Sequence, residues 1–324
     1  MARLAREIAA LDRTGSPHTV YFGGGTPALC DLAPLLAAVR DALGEVDEFT
    51  VELNPLDALP DLLARLREGG VNRISMGMQS LDDATLAAMG RPHSAAEAES
   101  SFRAIRAAGF VDAGFDLIAG WPGVTEAAWR RTLERACALE PAHVSVYTLI
   151  REPGTALDGA VREGRVALPS DDEALAMHDA AREALAQIGV CRYEVSNFAR
   201  PGMECRHNLA VWRGEDYVGL GEGAHGRVGR RRTVGEANGG YAVTDLSPED
   251  DARERAVFAL RLAEGIDLGA VAARWPVLAP RMPAWRGELE SLVPHGIARQ
   301  VAPDRFTLTD RGLEVCDAVI SSLP

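Results

Sequence analysis

Apolar residues recur along this chain in two rhythms. Short runs dense in Val, Ile, Leu, Phe and Tyr predict strands at Thr19–Phe22, Phe49–Leu53, Arg73–Met78, Ala113–Ile118, His143–Thr148 and Arg192–Ser196. Between them the spacing turns helical, and Leu32, Leu35, Leu36, Val39 and Leu43 share one face of a segment that begins at Asp31. Ser94 with Glu97, and Ser170 with Glu173, are capping boxes that tie off the first amides of two more helices. The first of these carries Phe102 and Ile105 on its apolar face, the second Leu185 and Ile188. Gly69, Gly70, Gly109 and Gly189 stand where helices must stop, because glycine takes the left-handed exit freely. The opening Met-Ala-Arg-Leu-Ala-Arg-Glu reads as a helix too.

Alternation of strand and helix implies right-handed crossovers and a parallel sheet. Five or six such units without a nucleotide-binding first turn predict an α/β barrel over residues 1–198. Gly23–Thr26, Glu52, Gln79 and Asp116 fall at or beyond the C-terminal ends of successive predicted strands, the edge where parallel barrels place their chemistry. After Phe198 the rhythm changes. Residues 199–245, rich in Gly and Arg, predict a loop-like connection. Residues 246–324 predict a small helical or winged-helix-like domain, with a strand or hairpin at Val301–Leu308 and a last helix at Asp310–Ser322.

At 324 residues and 47% hydrophobic, the chain can bury one or two full cores. Its net charge of −13 argues against general nucleic-acid binding, which depends on basic surface to displace counterions. The run Arg230-Arg231-Arg232 is too short to reverse that and reads as a solvated loop. No apolar stretch approaches the roughly 20 residues needed to span a bilayer, and no signal region opens the chain, so a cytoplasmic setting is expected. The five cysteines, Cys30, Cys137, Cys191, Cys205 and Cys316, are too scattered for a disulfide framework or a local metal cluster. Cys137 and Cys316 read as helix packing.

Val20-Tyr21-Phe22-Gly23-Gly24-Gly25-Thr26-Pro27 runs an apolar strand into three glycines, a hydroxyl residue and a proline. Such a turn lets a ligand approach main-chain atoms, or it is only a tight strand–helix connection. Glu52, in Val51-Glu52-Leu53-Asn54-Pro55, can accept hydrogen bonds from two ribose hydroxyls or be an edge charge. Gln79 adds an amide, and Arg91, twelve residues on, suits bidentate capture of a carboxylate. Asp116 sits inside the apolar run Gly114–Ile118, where a carboxylate needs a partner or a ligand.

Gly-Gly-Gly-Thr-Pro, Glu-x-Asn-Pro, Asn-Arg-Ile-Ser-Met-Gly-Met-Gln-Ser and Asp-Leu-Ile-x-Gly-x-Pro-Gly, in this order and spacing, resemble the radical S-adenosylmethionine (SAM) proteins around oxygen-independent coproporphyrinogen III oxidase. The likeness covers nearly the whole chain. It implies SAM contacts at Gly24, Gly25, Thr26, Glu52, Gln79, Arg91, Asp116 and Ile150. The glycine turn would meet the methionine amino group and Arg91 its carboxylate. Glu52, Gln79 or Asp116 would hold ribose hydroxyls, and Ile150 would line the adenine pocket.

Within that superfamily, Tyr193–Gly202 leading to Cys205-Arg206-His207-Asn208-Leu209, and Asp216–His225, resemble the HemW branch of haem chaperones. The branch's His-Asn-x-x-Tyr-Trp appears as His207–Trp212, with Val211 in place of tyrosine. The resemblance implies haem binding, transfer to haem-acceptor proteins and transient contact with membrane haemoproteins. His207 is then a candidate haem ligand and Cys205 an outsider, while a hydrogen-bonded loop histidine is the competing reading of His207. His225 reads equally as part of a glycine-rich turn, and His178 as surface or packing.

The family's cluster site is a C-x3-C-x2-C loop ahead of the Gly-Gly-Gly-Thr-Pro strand, and the residues before Val20 contain no cysteine. The resemblance therefore implies a partial parallel (βα)6-type barrel lacking its first unit, and a [4Fe–4S] cluster only in an N-terminally extended form. A relative that has lost the cluster is the alternative. Two rivals to the chaperone remain: oxygen-independent coproporphyrinogen III oxidation in porphyrin biosynthesis, and an ordinary barrel enzyme using Glu52 and Asp116 as acid and base.

Overall fold

In the computed structural model, which describes residues 1–11, 18–25 and 27–324, the apolar runs become strands and the amphipathic segments helices. The order is α1 (Ala2–Ala9), β1 (Thr19–Phe22), α2 (Ala33–Leu43), β2 (Glu48–Leu53), α3 (Pro60–Glu68), β3 (Arg73–Gln79), α4 (Asp83–Ala88) and α5 (Ala95–Ala107). It continues with β4 (Asp112–Ala119), α6 (Glu126–Ala138), β5 (His143–Thr148), α7 (Ala156–Arg162), α8 (Asp171–Gln187), β6 (Cys191–Arg192) and β7 (Asn197–Ala199). Both expected capping boxes are present, on α5 and α8. Gly70, Gly109 and Gly189 take the left-handed exit, with φ of +88°, +90° and +75°.

The described residues form two compact units, the first made of Leu11–Arg192 and Ser196–Glu204. Its sheet has the order β1-β2-β3-β4-β5-β7-β6, with β1 to β5 parallel. One face is apolar and fully buried: Phe49, Val51, Ile74, Met76, Phe115, Leu117, Val144 and Val146. Each such side chain contributes about 1.5–3 kcal/mol through burial. Phe102 of α5 stacks edge-on against Phe115 at 5.1 Å, which fixes that helix on the sheet. The other face is polar. Register pairs Glu52 with Ser75, Ser75 with Gly114, Asp116 with Ser145, and Ser145 with Asn197. Because side chains alternate along a strand, these polar groups share one inner surface.

The sixth strand differs from its expectation. Arg192–Ser196 does not continue the parallel sheet; β7 runs antiparallel to β5, and β6 antiparallel to β7. The cause lies in Tyr193–Val195, which belong to the second unit. There the Tyr193 carbonyl accepts the Ala263 amide at 2.9 Å and Val195 packs on that unit's core.

The second unit comprises Ala2–Ala10, Tyr193–Val195 and Cys205–Pro324. It adds α9 (Arg206–Trp212), β8 (His225–Val228), β9 (Arg231–Gly235), β10 (Tyr241–Asp245), α10 (Pro248–Val257), β11 (Ile266–Asp267), α11 (Leu268–Arg274) and α12 (Met282–Leu292). It ends with β12 (Ala298–Ala302), β13 (Arg305–Leu308), α13 (Asp310–Glu314) and α14 (Cys316–Ser322). Residues 199–245 are thus more ordered than their composition predicts. They hold a helix and a three-stranded antiparallel sheet, β10-β9-β8. Arg231 and Arg232, expected in a loop, lie on β9 and pair with Asp245 at 2.9 Å and Glu254 at 3.1 Å. The predicted last helix is broken at Val315 into α13 and α14. The sheet β11-β13-β12, whose last two strands form a hairpin, packs with α10 to α12 around Trp285, Leu260 and Phe306 in a winged-helix-like arrangement. In the same unit α1 docks through Glu7, which accepts the Tyr241 hydroxyl at 2.8 Å. Among the described residues no helix is long and apolar enough to cross a membrane.

Candidate functional site

The inner face of the first unit converges on the turn after β1. A β-carbon at Gly23 would stand 2.5 Å from Tyr21 Cε1 and 2.9 Å from Glu52 Oε1, so only glycine lets the turn lie against Glu52. Gly24 and Gly25 adopt φ of +79° and +61°, with open space where β-carbons would be. Thr26 lies outside the described residues. Glu52, one residue before the end of β2, accepts the Gly24 amide at 3.0 Å and the Tyr21 hydroxyl at 2.7 Å. Its carboxylate therefore braces the glycine turn, a role its place in the sequence does not announce.

Gln79 closes β3 with φ of +66°, a conformation that a β-carbon disfavours. The β3–β4 register slips between Met76 and Gln79, as a bulge requires. A β-carbon on Gly77 would meet Gln79 Nε2 at 2.9 Å and Asn54 Oδ1 at 3.6 Å, so the Gln79 amide lies back over Gly77 beside Asn54. Strained backbone of this kind persists where the surroundings hold it, and it concentrates at functional sites.

Asp116 lies within β4, deep among protein atoms yet with part of its surface open on the inner face. Desolvation pushes its pKa up to about 6, against the hydrogen bonds from Ser145 and Ser75; the Glu52 charge raises it and Arg73 lowers it. The Ser75 hydroxyl stands 3.4 Å from Asp116 Oδ1. Gly24, Glu52 and Asp116 are thus brought into one electrostatic neighbourhood. Arg91 sits half-buried on the loop between α4 and α5, its amide donating to Leu86 O at 2.9 Å. Ile150, two residues past β5, is 73% exposed.

Four residues of this face escaped the sequence reading: Tyr21, Ser75, Ser145 and Asn197. Ser75 and Ser145 were findable, as polar positions alternating with apolar ones in strands buried on both faces. Asn197 was hidden because the expected strand stopped at Ser196. It is 4% exposed, and its Oδ1 is buried with no hydrogen-bond partner among the described residues.

In the second unit, His207 is half-buried in the first turn of α9, and Val211 follows one turn later on the same face. Cys205 is fully buried, its amide donating to the Tyr193 hydroxyl at 3.3 Å, which makes it a packing residue. Arg261 lies 4.6 Å over the Trp212 ring, and Phe258 meets that ring edge-on at 5.6 Å. His225 is exposed on β8. His178, in the first unit, is buried with Nε2 3.0 Å from Val146 O, a packing histidine.

The sequence model of the radical SAM superfamily matches residues 1–136. The haem chaperone HemW of Mycobacterium tuberculosis H37Rv is 36% identical over 340 aligned positions, covering 99% of this chain and 84% of that protein. The mouse protein named radical S-adenosyl methionine domain-containing protein 1, mitochondrial, is 32% identical over 325 positions, covering 90% of this chain and 72% of its own. Among solved structures, coproporphyrinogen III oxidase (HemN) of Escherichia coli superposes with a TM-score of 0.82 over 99% of this chain and 81% of that one. At 22% identity this last likeness is one of fold. Identity of 36% over 99% of this chain to haem chaperone HemW, on a radical SAM fold, places the chain in the HemW haem chaperone family.

Proposed function

We propose that this chain binds haem and passes it to acceptor proteins, and that the inner face of its first unit holds S-adenosylmethionine. The observation that carries the haem reading is His207, half-buried on a helix of the segment that resembles the haem chaperones. Imidazole is a common axial ligand to haem iron, and the burial of Cys205 leaves thiolate ligation without support. The acceptors include membrane haemoproteins met transiently, and a cytoplasmic setting goes with this reading. The acidic balance speaks against nucleic acid as a partner.

The site residues fit an adenosyl sulfonium ligand on two grounds. The turn at Gly24 and Gly25 is open above its left-handed backbone, and Asn197 Oδ1 is a buried acceptor on the face that carries Asp116. Gly24, Gly25 and Thr26 would border the methionine end, with Arg91 gripping its carboxylate. Glu52 would hold the turn in shape, Asp116 and Gln79 would take ribose hydroxyls, and Ile150 would border the adenine. When bound, SAM supplies an adenosyl group for radical chemistry. Among the described residues no group of three or more Cys, His, Asp and Glu side chains could hold a metal ion. The described residues do not by themselves supply the ligands of a [4Fe–4S] cluster.

Titration of the purified chain with haem, followed at the Soret band, tests the chaperone reading. The parent should shift the band and His207→Ala should lose most of that shift. A parent that gives no shift sinks the reading; an unchanged shift in His207→Ala removes His207 from it.

A further inference from the structure

Among the described residues, His93 ties together two parts of the candidate site. It is 4% exposed, and its Nε2 lies 3.2 Å from the Met78 carbonyl oxygen. A carbonyl can only accept, so Nε2 carries the hydrogen. Burial holds the ring pKa below the ordinary histidine range, against the Met78 hydrogen bond and the Glu97 charge and with the Arg91 charge adding to the fall, while the bond to Met78 selects the tautomer. The Met78 oxygen also accepts the Ser80 amide at 2.8 Å. Between those two acceptances stands Gln79 in its left-handed conformation.

The other end of the tie is the loop from Met89 to Ser94. Its backbone is pinned to the helix before it, by Arg91 N to Leu86 O at 2.9 Å and by Ala95 N to Asp83 Oδ1 at 2.7 Å. The Ser94–Glu97 capping box pins it to the helix that follows. These three anchors belong to helices; among the described residues the His93 ring joins the loop to the end of β3.

We propose that His93 is a positioning residue that locks the Gln79 turn to the Arg91 loop, so that one strained amide and one guanidinium face the same ligand at a fixed spacing. The inference rests on the reading of Gln79 and Arg91 as SAM contacts. Loosening such a pair weakens ligand binding about tenfold, which corresponds to about 1.4 kcal/mol.

Isothermal titration of the full chain with SAM, beside a urea midpoint for each variant, provides the test. His93→Gln carries an amide donor at a reach similar to Nε2 and should bind within about twofold of the parent; His93→Leu, which leaves Met78 O without that donor, should bind about tenfold more weakly. His93→Asn, with a donor too short to reach Met78 O, should resemble His93→Leu, and it decides the case if the leucine variant does not fold. Equal affinity of His93→Asn and His93→Gln overturns the inference. So does undiminished binding by His93→Leu in a background where Arg91→Ala weakens it. If the parent takes up no SAM, or neither Arg91→Ala nor Gln79→Ala weakens it, the site reading falls and His93 falls with it.

Discussion

Asp116 shares its surroundings with Ser75, Ser145, Glu52 and Arg73, and its enclosure opposes its charge more than the two hydroxyls and the guanidinium favour it. The folded-state value of about 6 lies above the ordinary 3.8. Between those values the native state keeps the proton that the unfolded chain releases. The stability this group contributes is therefore complete below pH about 4 and lost as pH rises through about 6. Asp116→Asn removes the ionisation. Between pH of about 4 and about 7 the variant should gain on the parent by at most about 3 kcal/mol, two units at about 1.4 kcal/mol each. Urea unfolding of both proteins across that range checks it, and parallel pH dependences would refute it. At this scale Asp116 was legible in the sequence as an acid inside an apolar run. Glu52 was legible as a site residue but not as the brace of the glycine turn, because bracing depends on where β1 and β2 lie side by side.

The helices of the first unit are held by local devices that the sequence displays. Thr125 caps α6 by accepting the Ala128 amide at 3.2 Å, and Trp129, four residues on, is buried with its indole donating to Met177 O at 2.7 Å. Thr125→Ala should lower stability by about 1 kcal/mol without changing ligand affinity, measured as a shift in urea midpoint. Strands β1 and β5 fall where their apolar runs put them, with Val20, Tyr21 and Phe22 half-buried in β1 and Val144 and Val146 fully buried in β5. Strands β6 and β7 do not, because Tyr193–Val195 answer to contacts with residues far along the chain, such as Ala263. The sheet β8 to β10 was equally hidden. Its strands carry Arg, Thr and Gly, and their order comes from pairing and from Arg231 and Arg232 meeting acids on β10 and α10.

For the whole molecule, a net charge of −13 sets self-repulsion against many exposed ion pairs. Each exposed pair is worth about 0–1 kcal/mol and weakens in salt. Buried ones such as Arg227 with Asp251, at 2.7 Å, are screened less. The unfolding midpoint should therefore rise from about 0.01 M to about 0.15 M salt, as the Debye length falls from about 30 Å to about 8 Å. A fall would mean that the surface pairs outweigh the repulsion. The bond between Glu7 and Tyr241 joins residues 234 positions apart, within one unit. That unit is closed by a segment made 234 residues before its partner, and contacts of such separation form late because a long loop must first be closed. On the ribosome α1 emerges long before β10 and waits, without its docking partner, until β10 has been made. Refolding should then show a slow step that Glu7→Ala leaves in place for the remaining core but no longer couples to α1.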